Sequence, residues 1–222
     1  VEKNNFACTS VIANACIRND AKLIMLSSTS VYGSTKNLVD ETSKGDDLNP
    51  QSPYAITKLL EEELIRRLFH EKKLKASILR FGTIYGPSVG MRFHTAVNKF
   101  CWQSIMNQPL TIWQTAYDQK RPYLDLTDAV DALCFFLKED IFNGEIYNIL
   151  SCNHSVREVV EIIKKHVPEV QLDFVKNKIM NQLSYEVSVQ KIEEIGFSFN
   201  GDLERGIKDT ISMLRAANNY IS

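Results

Sequence analysis

Lys22-Leu-Ile-Met-Leu26, followed without a break by Ser27-Ser-Thr-Ser-Val-Tyr-Gly33, is the stretch that decides the fold. A short apolar run ending in a row of hydroxyls reads as a buried strand whose carboxyl end opens onto a turn. Outward from it the pattern alternates. Thr9–Arg18 ahead of it has helical apolar spacing at Val11, Ile12, Ala15 and Ile17. Ser27–Pro53 behind it is polar and rich in turn residues, so a loop is expected there. Ser52-Pro53 then opens a helix, with Ser as cap and Pro at the first position, and Leu60, Leu64, Ile65 and Leu68 are its expected inner face.

The alternation continues to the end of the chain. Ala76–Phe81 is a second buried strand, and Gly86–Gly90 a loop. A helix is expected around Ala96–Met106, a strand at Leu110–Trp113 and an extended segment at Tyr123–Leu126. Asp128–Lys138 is an apolar helix capped by Thr127, and Glu145–Leu150 a strand. Ser155–His166 is an amphipathic helix, Val170–Phe174 a strand, and Val189–Ile195 and Leu203–Ala217 are helical, the first ended by Gly196. Short apolar strands between helices of ten or more residues imply an α/β fold with a parallel sheet.

Composition excludes several classes. A formal net charge of −1 gives no basic face for nucleic acid. The densest apolar run, Ala132–Leu137, is far too short to span a membrane. The first residues show no signal peptide. Cys8, Cys16, Cys101, Cys134 and Cys152 are odd in number and have no Cys-x-x-Cys or zinc spacing, which reads as reduced thiols in a cytoplasmic protein with no metal centre.

Tyr54-Ala-Ile-Thr-Lys58 puts a phenol and an ammonium on one helix face. A tyrosine at its reference pKa of about 10 is a poor base, and making it effective near pH 7 takes about 4 kcal/mol of phenolate stabilisation. An adjacent Lys in a partly desolvated cleft supplies that. The pair alone is weak: eight tyrosines among residues of which 26 in 222 are Lys or Arg give about one such spacing by chance. Ser28 adds to it. It ends the first strand, where open α/β sheets bind ligands, and its hydroxyl suits the oxygen that Tyr54 would deprotonate.

Four segments in order, Ser27–Gly33, Pro53–Lys58, Leu79-Arg-Phe-Gly-Thr-Ile-Tyr-Gly-Pro87 and Arg121-Pro-Tyr-Leu-Asp-Leu-Thr-Asp128, resemble the extended short-chain dehydrogenase/reductases, the NAD-dependent epimerase/dehydratase family acting on nucleotide sugars. The resemblance implies a partial Rossmann-type doubly wound sheet over 1–87, continued by about 127–150. It further implies a smaller α/β substrate lobe from 88–126 and 151–222. It makes Tyr54 the catalytic base, Lys58 its partner and a ribose ligand, and Ser28 the third catalytic group. Asn4, Ser27, Phe81 and Gly82 then fall beside the cofactor, NAD. Ser28, Thr29, Thr83, His94 and Arg121 fall beside the nucleotide-sugar substrate, with Arg121 suited to a diphosphate. Trp113 has a face that suits a nucleobase. A homodimer through the Tyr54 helix, with Leu60, Leu64 and Leu68, is also implied.

The chain departs from the family pattern in three places. No G-x-G-x-x-G occurs, and the family's first strands are missing ahead of Val1, so a chain truncated at its N-terminus, binding NAD weakly, is expected. Thr29-Ser30 stand where the 4,6-dehydratases have Asp-Glu. Two hydroxyls are unsuited to expelling water, which favours an epimerase at C4, with a reductase, a decarboxylase or a non-catalytic nucleotide binder as alternatives. The family's late arginine is missing from Asn177–Ser184, leaving Lys176, Lys178 or Gln182 as substitutes.

Overall fold

In the computed structural model, which describes residues 2–33, 37–176 and 184–219, the first buried run is a strand and its two serines belong to it. The elements in chain order are α1 (Glu2–Arg18), β1 (Leu23–Ser28), β2 (Leu38–Val39), α2 (Pro53–Lys72), β3 (Ala76–Phe81), β4 (Thr83–Tyr85), α3 (Ala96–Ile105), β5 (Leu110–Trp113), β6 (Lys120–Asp125), α4 (Leu126–Lys138), β7 (Asn143–Ile149), β8 (Cys152–Ser155), α5 (Val156–His166), β9 (Leu172–Val175), β10 (Glu186–Val187), α6 (Gln190–Glu194) and α7 (Leu203–Asn219). The expected substitutes Lys178 and Gln182 lie outside the described residues; Lys176 lies just inside them.

The strands β1, β3 and β7 form a parallel sheet in that order, and Ser28, Phe81 and Ile149 stand level at its carboxyl edge. The sheet is covered on both faces, as a doubly wound fold requires. Met25, Ile78 and Ile146 pack with Ala13 of α1 and Leu64, Ile65 and Leu68 of α2. Leu79, Phe81, Tyr147 and Ile149 pack with Ala129, Ala132 and Phe136 of α4 and Ile192 of α6. A separate core joins Val97, Phe100 and Cys101 of α3 to Val159, Val160 and Ile163 of α5 and Ile207, Ile211 and Leu214 of α7. It lies under a second small sheet in which β6 pairs parallel with β4 and antiparallel with β8. Beside it β5 pairs parallel with β9.

Several expectations are corrected. The first helix begins at Glu2 rather than Thr9. The cap of α4 is Asp125, whose Oδ1 accepts from Thr127 N at 2.8 Å; Thr127 itself is inside the helix. Asp is one of the preferred capping residues and has the shorter reach to the second N–H. The Ser27–Pro53 segment is not all loop, because Leu38–Val39 pairs parallel with Glu186–Val187, a partner about 150 residues away that local sequence does not reveal. Leu60 is 49% exposed, so of the four expected inner-face residues Leu64, Ile65 and Leu68 are the buried ones, joined by Ala55, Thr57, Glu61 and Glu62. The start of α2 is as expected: Ser52 Oγ accepts from Ala55 N at 3.2 Å and Pro53 takes the first position.

Candidate active site

The carboxyl edge of the β1–β3–β7 sheet collects the chemistry-bearing residues. Since α2 runs 20 residues, about 30 Å, from the end of β1 back to the start of β3, its first turn lies at that same edge. The edge therefore carries Ser28 on its strand and Tyr54 and Lys58 on its helix.

Ser28 closes β1. Its Oγ accepts from Ser30 N at 3.2 Å and so starts the short 3-10 turn Thr29–Val31. Thr29 is buried, and its hydroxyl donates to the Phe81 carbonyl oxygen at 3.3 Å, tying the turn to β3. The Ser30 hydroxyl is buried with no partner among the described residues. Tyr54 is 42% exposed in the first turn of α2, and the Lys58 Nζ lies 5.7 Å from its ring centroid. Lys58 is itself mostly buried and gives one hydrogen bond to Glu61 Oε2 at 2.8 Å. Phenol, ammonium and alcohol are the donor set that fits the hydroxyls of a ribose and of a sugar.

Gly82 follows β3 at the same edge. A Cβ there would come within 3.1 Å of Pro122 O and 3.2 Å of Leu150 Cβ, so any larger residue would push the neighbouring backbone by a few tenths of an ångström. Gly33 is more tightly placed, in the loop after Ser28: a Cβ would fall 1.9 Å from Asn49 O.

The remaining expected residues sit as follows. The Ser27 hydroxyl is turned inward, donating to Glu62 Oε1 at 2.5 Å. Phe81 is buried, and Thr83 is half-buried on β4, paired with Tyr123. Asn4 is exposed near the start of α1, whereas Thr9 and Ile12 of that helix share a cavity of about 230 Å³ with Lys58 and Glu61. His94 is exposed in the turn before α3. Arg121 is half-buried, with Nη2 donating to Gln119 Oε1 at 2.6 Å and Nη1 to Lys120 O at 3.1 Å. Burial holds its guanidinium below the usual arginine range. Trp113 is half-exposed on β5.

Sequence reasoning missed the layer beneath the edge. Arg80 on β3 reaches Glu62 with Nε at 2.9 Å and Nη2 at 2.7 Å, and donates to the Tyr32 hydroxyl from Nη1 at 2.8 Å. Tyr32 donates in turn to Asn148 Oδ1 at 2.8 Å, and burial pushes its phenol up to about 12. The Asn148 N–H donates to Glu41 Oε1 at 2.6 Å, and burial raises the Glu41 carboxyl. The missed signal was Arg80 itself: a guanidinium inside the strand Ala-Ser-Ile-Leu-Arg-Phe demands a buried acid. Tyr185 was also missed. It packs edge-on against Tyr32 and its hydroxyl donates to Thr29 O at 3.1 Å.

Among the described residues no group of His, Cys, Asp or Glu is arranged to hold a metal ion, and no helix is long and apolar enough to cross a membrane. A model of the NAD dependent epimerase/dehydratase family matches residues 1–149. The dTDP-D-glucose 4,6-dehydratase of Bos taurus is 29% identical over 203 residues, covering 87% of this chain and 56% of that protein. An uncharacterized UDP-glucose epimerase, YtcB, of Bacillus subtilis is 31% identical over 165 residues, covering 72% of this chain and 50% of its own length. The chain thus spans about half the length of these relatives. In fold it is similar to a dTDP-glucose 4,6-dehydratase of Streptomyces venezuelae with NAD bound, with TM-score 0.87 and 21% identity, covering 99% of this chain and 68% of that one.

Proposed function

This chain belongs to the NAD dependent epimerase/dehydratase family, and we propose that it carries the reaction centre of a nucleotide-sugar epimerase working through a 4-keto sugar. What supports this reading is that Ser28 ends β1, that Tyr54 and Lys58 open the helix leading from that edge to β3, and that the turn after Ser28, Thr29-Ser30, has two hydroxyls and no acid. Expelling water from the sugar needs an acid and a base placed across the C5–C6 bond. A hydroxyl bonded to a backbone carbonyl, as in Thr29, does not supply that acid.

Tyr54 takes the proton of the C4 hydroxyl, Ser28 holds the same oxygen, and Lys58 stabilises the phenolate charge electrostatically. Bound NAD would supply the hydride acceptor for C4 and the donor for its return, so that oxidation and reduction would balance over the cycle. Tyr54 then returns its proton once the ketone presents its other face. Lys58 and Tyr54 suit the nicotinamide ribose, with Asn4, Phe81 and Gly82 the further cofactor-side residues; the Ser27 hydroxyl is committed to Glu62, which leaves that residue's backbone for the role. Thr83, His94 and Arg121 belong to the substrate side, Arg121 facing the diphosphate, while the buried Thr29, its hydroxyl held by the Phe81 carbonyl, shapes the turn. In this reading 1–87 with 127–150 is the dinucleotide half, and 88–126 with 151–222 the substrate lobe. Of the residues expected at a dimer seam, Leu64 and Leu68 are buried in the core, so the exposed Leu60, with Ile56 one turn away, is what suits a second copy of the chain.

Incubation with a UDP-hexose and NAD, the cofactor supplied well above about 1 mM to offset its expected weak binding, tests the reading by product. An isomer with no net NADH is expected. A 4-keto-6-deoxy sugar, or release of carbon dioxide from a uronic acid substrate, would replace it with a dehydratase or a decarboxylase.

A further inference from the structure

Two adjacent carboxylates on α2 are buried, and they are held in opposite ways. Glu62 is saturated: Arg80 grips both of its oxygens and Ser27 donates to Oε1. Glu61, 0% exposed, has one hydrogen bond, from Lys58 Nζ to Oε2 at 2.8 Å. Its other oxygen, Oε1, is buried with no partner among the described residues.

As a stabilising device this arrangement is poor. A buried ion pair recovers its desolvation cost only when the remaining lone pairs are satisfied. Lys before Glu is also the less favourable order along a helix. What the pair does well is fix a long side chain. A lysine has a flexible four-carbon stem and three N–H donors. Glu61 takes one donor and holds the ammonium 5.7 Å from the Tyr54 ring, leaving two for a ligand. Both side chains line the cavity shared with Thr9 and Ile12.

We propose that Glu61 is a positioning residue for Lys58, anchoring its ammonium beside Tyr54 before any ligand arrives. The proposal rests on the reading of Lys58 as part of the reaction centre, and the anchoring itself is measurable without turnover. In the 222-residue chain, trace acetylation with acetic anhydride is read by peptide mass spectrometry. Glu61→Gln keeps the shape and removes the charge. It is expected to raise labelling of Lys58 at least fivefold while that of the exposed Lys75 stays constant. Glu61→Asp, with its shorter reach, falls between. Glu62→Gln, the control for a merely structural carboxylate, lowers the melting temperature and leaves Lys58 labelling within twofold.

In protein that turns over a nucleotide sugar, Glu61→Gln is expected to cut kcat about tenfold with KM within twofold. Unchanged Lys58 labelling in Glu61→Gln overturns the proposal, as does raised labelling with kcat intact. Raised labelling in a protein whose wild type converts the nucleotide sugar to a 4-keto-6-deoxy sugar, or decarboxylates it, upholds the anchoring of Lys58 and refutes the epimerase reading instead.

Discussion

The Tyr185 hydroxyl donates to the backbone carbonyl of Thr29 at 3.1 Å, so a segment 156 residues further along the chain closes against the turn that follows Ser28. Tyr185 is 2% exposed and stacks edge-on with Tyr32 at 6.3 Å. Removing the hydroxyl alone leaves the Thr29 oxygen short of a buried donor. Tyr185→Phe is expected to lose about 1 kcal/mol and about 3 °C in melting temperature for a chain of this size, read by calorimetry. An unaltered melting temperature would mean that the contact carries no weight.

Arg80 and Glu62 are a buried, doubly bonded pair with Ser27 and Tyr32 attached. Arg80→Met strands the carboxylate and is expected to cost about 3–5 kcal/mol in urea unfolding. The double variant Arg80→Met, Glu62→Leu removes the stranded charge and recovers a large part of that loss. A double variant less stable than the single one contradicts this account.

Tyr54 is 42% exposed, so its loss barely touches the fold. Tyr54→Phe is expected to leave unfolding within about 0.5 kcal/mol of wild type and to reduce turnover by about 10²–10⁴. Ser28→Ala should act in the same direction with a smaller loss. Turnover of Tyr54→Phe within a few-fold of wild type removes the phenol from the mechanism.

Glu158 gives a pH dependence. The Ser155 N–H, the Ser155 hydroxyl and His154 together hold its carboxyl down to about 2, against an ordinary 4.5. Because the folded value is the lower one, its contribution is present above pH 4.5 and is lost as pH falls toward 2. With the side chain 49% exposed, solvent limits this to about 1 kcal/mol. Glu158→Gln should therefore be less stable than wild type at pH 7 and should close the gap by pH 2.5, as urea titrations at both pH values will read. A gap that widens in acid has the wrong sign.

Nicotinamide-end residues are present, and no G-x-G-x-x-G occurs in the chain to receive the pyrophosphate. Calorimetric titration of the 222-residue chain with NAD is expected to give a Kd weaker than about 1 mM. Micromolar binding would show that other residues of this chain take that role.

Much of the fold was legible because it rests on local signals. The apolar runs at Lys22–Leu26 and Ala76–Phe81, the Ser52-Pro53 helix start and the amphipathic stripe of Val156, Val159, Val160 and Ile163 are each written within a few residues. What was not legible rests on distant partners. Leu38–Val39 is a strand only because Glu186–Val187 lies beside it. Leu60 matched the apolar spacing of its helix and still faces outward, because a 20-residue helix against one sheet buries only one stripe.

The sequence by itself determined the alternation of strands and helices, and with it the parallel sheet. It also determined the hydroxyl and Tyr54–Lys58 motifs that mark the carboxyl edge, since periodicity and i,i+4 spacing are properties of neighbours along the chain. Only the tertiary structure decided what the charges beneath that edge do. Glu61 and Glu62 are adjacent and alike in sequence, yet Glu62 is locked to Arg80 and Glu61, among the described residues, is held by Lys58. Successive helix residues point about 100° apart, so each carboxylate meets a different wall, and which wall holds a guanidinium is fixed only when the sheet and helix pack.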